Sequence, residues 1–224
     1  MADLERHDIQ GFLLSAYGHL PCATYLLLRV TDAAAARRWL ARMAEEITMG
    51  EGRQEGFSIN LALTSAGLSK LGLDSAGLAT FPRAFREGMA TAHRARVLGD
   101  TNDSDPSEWR WGNEKNPVDV LLLVFAAGES ELEAQLVRQR DVIQTFGGIE
   151  EALVLSAGRQ RDTREHFGFA DGIAQPVIED SGRLERQLNR TGHATVLKAG
   201  EFILGQEDDY GFAPIIPRAA GMDD

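Results

Sequence analysis

The sequence predicts an α+β fold, a ferredoxin-like split βαβ antiparallel sheet with its helices on one face. Three observations carry that expectation. Short apolar runs at 24–30, 57–63, 118–126 and 150–156 read as strands. A helical pattern separates the first run from the second, and another separates the third from the fourth. A longer stretch, 65–117, is inserted between these two halves. The order is therefore strand, helix, strand, insertion, strand, helix, strand.

The elements follow in order. TYLLLRV at 24–30 is a buried strand, and Thr31-Asp32 then caps a helix. Ala36, Trp39, Met43 and Ile47 fall at helical spacing and form its buried stripe, with Gly50 and Gly52 marking the exit. FSINLAL at 57–63 is the second strand. The insertion opens with a short helix at 65–71, stopped by Gly72, and its spacing allows another over 79–95. Residues 99–117 are rich in Asp, Asn, Gly and Pro and read as a long loop, which Trp109 and Trp111 are expected to pin to the body. VDVLLLVFA at 118–126 is the clearest strand. Ser130 and Glu133 form a capping box for a helix carrying Leu132, Leu136, Val137, Ile143 and Phe146, ended by Gly147-Gly148. EEALVLS at 150–156 closes the pattern. The expected division is a ferredoxin-like domain over 1–160 and a distinct segment over 161–224.

Composition excludes several classes of function. The formal net charge is -11, with 34 acids against 23 Lys and Arg, so a nucleic-acid partner is not expected. There is no basic amphipathic helix for a membrane surface and no apolar stretch of spanning length. MADLERHDIQGFLL carries acids and lacks a signal peptide's apolar core, and Arg37-Arg38 lies too deep for a twin-arginine signal, so a cytoplasmic location is expected. Cys22 is the lone cysteine, which rules out an internal disulfide or a thiolate cluster and reads as a reduced, buried thiol.

Chemistry concentrates at 163–180, TREHFGFADGIAQPVIED. Asp171-Gly172 is a turn signal. Gly168 and Gly172 let the main chain approach a flat ligand, and Phe167 and Phe169 add apolar surface beside the acid. A carboxyl dehydrated by aromatic neighbours has a raised pKa and is suited to shuttle protons. Spacing alone leaves two readings open: Asp171 as a plain turn residue, or as an acid–base group.

GFADG fits the Gly-x-x-Asp-Gly motif of the dye-decolourising haem peroxidases, and His166–Pro176, HFGFADGIAQP, resembles that motif's extended form. Asp8-Ile9-Gln10-Gly11, followed by Tyr17-Gly18 and the first strand, resembles the family's opening. Gly200-Glu201-Phe202-Ile203-Leu204-Gly205, with Tyr210-Gly211 after it, resembles a segment that follows the motif. The resemblance implies two ferredoxin-like domains, of which this chain is the first, with non-covalent haem b held by the C-terminal one. It implies hydrogen peroxide and an organic reductant as substrates. Asp171 falls where the family places its distal acid–base group, and Gly172, Ile173 and Gln175 fall along the haem edge.

A proximal histidine and a distal arginine are also implied, both in the C-terminal domain. None of His7, His19, His93, His166 or His193 replaces that ligand. His166 is five residues from Asp171, a reach of about 17 Å even when extended, and the two groups must lie on opposite haem faces. No metal ligand is therefore predicted in this chain, nor a Cys-x-x-Cys-His haem attachment. The chain is expected to be a fragment or half-enzyme whose partner is a C-terminal peroxidase domain or a second copy. The alternative is a non-catalytic ferredoxin-like interaction module derived from that family. A third reading, a relative of the chlorite dismutases, is opposed by the Gly-x-x-Asp-Gly string.

Overall fold

In the computed structural model, residues 4–52, 55–159, 164–170 and 175–218 are described. Strands β1 (Cys22–Val30), β2 (Phe57–Leu63), β3 (Val120–Ala126) and β4 (Ile149–Gly158) form one antiparallel sheet in the order β2-β3-β1-β4. Helix α2 (Ala33–Ala44) connects β1 to β2, and α7 (Glu129–Phe146) connects β3 to β4. Each helical connection passes over an intervening strand, which is the split βαβ arrangement of the ferredoxin-like fold. A short helix α1 (Gly11–Leu14) precedes the sheet. The insertion holds α3 (Ser65–Lys70), α4 (Ser75–Ala79), α5 (Arg83–Glu87) and α6 (Ala92–Leu98). Beyond the sheet, β5 (Val177–Ile178) and β6 (Val196–Leu197) pair in parallel around α8 (Leu184–Thr191).

Alternation along the strands sorts the core into two layers. Leu26, Leu28, Ile59, Leu61, Val120, Leu122 and Val124 meet Ala36, Trp39 and Met43 of α2 and Leu132 of α7. On the opposite face, Ala23, Leu123 and Phe125 pack beneath Tyr17 and Leu20 of the N-terminal segment. Tyr17 meets the Phe125 ring edge-on at 5.2 Å. Asp32 caps α2 as its spacing predicts, accepting the Ala35 N–H at 2.7 Å.

Polar contacts fix the helices and the insertion. Asp119, fully buried before β3, accepts the Val30 N–H at 2.8 Å and pairs with Lys70 of α3 at 2.7 Å. Glu46 lies between the helices and binds Arg42 at 2.5 Å, Arg138 at 2.8 Å and Gln139 at 3.0 Å. Burial pushes the Glu46 carboxyl up, but the Gln139 hydrogen bond and the Arg138 and Arg42 guanidinia outweigh it and hold it below the usual range. A depressed carboxyl stabilises the fold above its unfolded pKa and ceases to do so as pH falls through its folded one. In urea titrations at descending pH, Glu46→Gln should therefore lose less stability than the parent below the ordinary glutamate range. Parallel losses in the two proteins would remove Glu46 from the account.

Several local expectations are corrected. Helix α7 begins at Glu129 after Gly128, which makes no side-chain cap, so Ser130 and Glu133 lie inside the helix and form no capping box. Its buried residues are Leu132, Gln135 and Gln139. Val137, five residues beyond Leu132, turns about 140° from it and is exposed. The 79–95 helix is broken at Gly88, with α5 before it and α6 after. In the long loop Trp111 is exposed, and the Trp109 indole donates to the Ser104 carbonyl at 2.9 Å, a contact within the loop. The buried anchor there is Asn113. Its amide donates to the Pro106 and Trp109 carbonyls at 2.7 and 3.0 Å and accepts the Asn116 N–H at 2.7 Å.

Candidate functional site

Packing brings together residues from two of the segments singled out by resemblance and a residue just beyond the third. Leu4, Leu14, Ile178 and Ala199 form a small buried core, with Ile9 and Ile203 packed against it. Ile9 belongs to the Asp8–Gly11 segment, Ile178 follows the HFGFADGIAQP string, and Ile203 belongs to GEFILG. Segments far apart in sequence thus share one anchor, and that anchor holds the chain on the C-terminal side of Asp171.

The N-terminal segment is itself locked to the sheet. The Gln10 side chain acts like one more strand residue at the β2 edge. Its amide donates to the Leu61 carbonyl at 2.8 Å, and its oxygen accepts the Leu61 N–H at 2.9 Å and the Asn60 amide at 3.1 Å. Gly11 follows because nothing larger fits: a Cβ there would lie 2.6 Å from the Tyr17 hydroxyl and 2.9 Å from the Met49 carbonyl oxygen. Gln10→Ala leaves the Leu61 groups without these partners, and a loss of about 1–3 kcal/mol in urea unfolding is expected. An unchanged midpoint would contradict the edge-capping role.

Asp171, Gly172 and Ile173, three of the predicted site residues, lie outside the described residues. Gln175, the fourth, is exposed. The chain entering Asp171 forms a tight turn: the Gly168 N–H donates to the Glu165 carbonyl at 2.8 Å, and the Glu165 N–H donates to the Phe169 carbonyl at 2.8 Å. Gly168 has a φ of 86°, a conformation that favours glycine. Arg164 reaches across to the Gly168 carbonyl at 2.6 Å. A turn therefore falls at 165–169, and the turn expected at Asp171-Gly172 lies outside the described residues.

This turn presents Phe167 and Phe169 outward, 88% and 74% exposed. The apolar shield expected around the acid is present as side chains, but the described residues do not close it. Phe202, Leu204, Tyr210, Phe212 and Ile215 are exposed as well, giving residues 165–215 a large amount of uncovered apolar surface. Among the described residues, no group of three or more His, Cys, Asp or Glu side chains is arranged to hold a metal ion. No helix among them is long and apolar enough to cross a membrane.

An ancestral D-type dye-decolourising peroxidase superposes with a TM-score of 0.70 over 97% of this chain and 48% of that one, at 23% identity. A fungal DyP-type peroxidase from Auricularia auricula-judae gives 0.61 over 80% and 39%, at 25% identity. One from Anabaena sp. gives 0.66 over 81% and 42%, at 19% identity. Peroxidase 2 of Mycetinis scorodonius is 30% identical over 156 residues, 68% of this chain and 28% of that relative. No protein-family model matches the chain. The chain has the ferredoxin-like fold found in these structures and resembles the dye-decolourising peroxidases over about half the solved chains' length.

Proposed function

We propose that this chain forms the distal side of a haem peroxidase pocket that uses hydrogen peroxide to oxidise an organic reductant. Asp171 is the acid–base group of that pocket, and a second ferredoxin-like domain supplies the iron ligand and the distal arginine. The observation that carries this reading is the exposed Phe167–Phe169 turn leading directly into Asp171, on a chain anchored by the segments that resemble the family.

The described residues offer apolar surface suited to one side of a flat macrocycle. Haem b fits such a surface as a non-covalent group shared with another domain. Gly172, Ile173 and Gln175 would lie along its edge. The haem, when bound, supplies the two-electron reduction of peroxide. The Asp171 carboxylate takes the proton from one peroxide oxygen and delivers it to the other, which leaves as water. Covering Phe167 and Phe169 keeps water out of the site, so that the proton passes between peroxide and carboxylate rather than to solvent.

Titrating haem into the chain, alone and with a histidine-bearing second domain, tests the reading. A shifted Soret band is expected with the pair. No shift with the pair would overturn it.

A further inference from the structure

Past the Gly200–Gly205 string the chain runs back to the insertion as a strap, residues 212–218. Asp208 holds the start of the strap. Its carboxylate accepts the Tyr210 and Phe212 N–H groups at 2.9 and 2.8 Å, and its own N–H donates to the Phe212 carbonyl at 2.8 Å. Residues 213–217 then make no backbone hydrogen bond among the described residues. Pro214 and Pro217 lack N–H donors and fix φ, which favours a stiff, extended course of three residues per turn. On that period the two prolines share one side and are half-buried. Phe212 and Ile215 share another side and are 70% and 84% exposed.

Two contacts hold the far end. Thr80, the residue that closes α4, accepts the Arg218 N–H on its hydroxyl at 2.9 Å, across 138 residues of sequence. The same hydroxyl donates to the Gly77 carbonyl of its own helix at 2.6 Å, so its oxygen is aimed at the strap. Ile216 is seated over Gly205. A Cβ at Gly205 would fall 2.8 Å from Ile216 Cδ1, and the φ of 82° there also favours glycine.

We propose that Thr80 is a latch, by which the insertion fastens this strap and fixes the course of Phe212 and Ile215. The stiff segment is held at Asp208 and at Thr80, with little bonding between. Releasing the Thr80 end leaves it free to swing about Phe212. The hydroxyl lies on an exposed residue, and the net strength of one neutral hydrogen bond is modest, so its removal shifts the balance between fastened and free strap by about five- to tenfold. This gives the first part of the insertion a task that its short helices do not show in sequence. The inference concerns this chain alone and holds with or without haem or a second domain.

A nitroxide label on Ile215→Cys, in a Cys22→Ala background that removes the only other thiol, reads the motion of the strap. In electron paramagnetic resonance the parent should show a slowed label, and Thr80→Val should speed its motion by about threefold or more. Thr80→Ser keeps a hydroxyl and should restore the slow spectrum. Arg218→Pro removes the donor from the strap's side, so it should match Thr80→Val and add nothing when the two are combined. A label on Val137→Cys, at an exposed position of α7, should be indifferent to all of these changes. Equal mobility at 215 in the parent and Thr80→Val would overturn the proposal. So would a Thr80→Ser spectrum like that of Thr80→Val, or a change at 137 as large as that at 215.

Discussion

Asp171→Asn, made in the chain paired with its second domain, is expected to lower peroxide-dependent turnover by about 100-fold or more while leaving haem binding intact. Asparagine keeps the size of the side chain and its tolerance of turns, but it cannot take up and release a proton at neutral pH. The variant therefore separates the two readings of Asp171 that spacing leaves open. Steady-state rates with a dye substrate, beside the Soret band of the same sample, give the comparison. Full turnover in the variant would return Asp171 to the role of a turn residue.

Trp39→Ala is expected to destabilise the fold by about 3–5 kcal/mol, the usual cost of emptying a large aromatic site in a core. Trp39 is 1% exposed and packs between α2 and the sheet among Leu26, Leu28, Ile59 and Leu122. Its indole N–H finds no acceptor among the described residues, so the loss is one of packing rather than of a hydrogen bond. Urea unfolding followed by circular dichroism measures it. A loss under about 1 kcal/mol would mean that the two layers are not held together at this point.

The strands were legible because each is a short apolar run bounded by polar or turn residues. The 57–63 run matches β2 residue for residue, and Asp32 caps α2 where its spacing places it. Beginning the third strand at 118 overshoots, because Asp119 turns inward to Val30 and to Lys70, and no local pattern shows that partner. The burial of Gln139 on α7 was hidden for the same reason: its partner Glu46 lies just past α2. Asn113 was missed in favour of the nearby tryptophans because apolar size is visible in a sequence and a satisfied buried amide is not.

The candidate site was legible as a string rather than as a shape. Phe167 and Phe169 were expected to dehydrate the acid, yet they stand exposed on a turn closed by Glu165, Gly168 and Phe169. Their cover is not among the described residues, and proximity along the chain cannot reveal that. The joint packing of Ile9, Ile178 and Ile203 was equally hidden, because no local pattern links residues so far apart in sequence.

The central claim is that this chain supplies one side of a peroxidase site. Mixing it with haem, hydrogen peroxide, an oxidisable dye and a histidine-bearing second domain tests that claim most directly. The account predicts dye oxidation by the complete mixture at a rate well above that of either domain with haem alone. A second domain that performs equally well without this chain would contradict it.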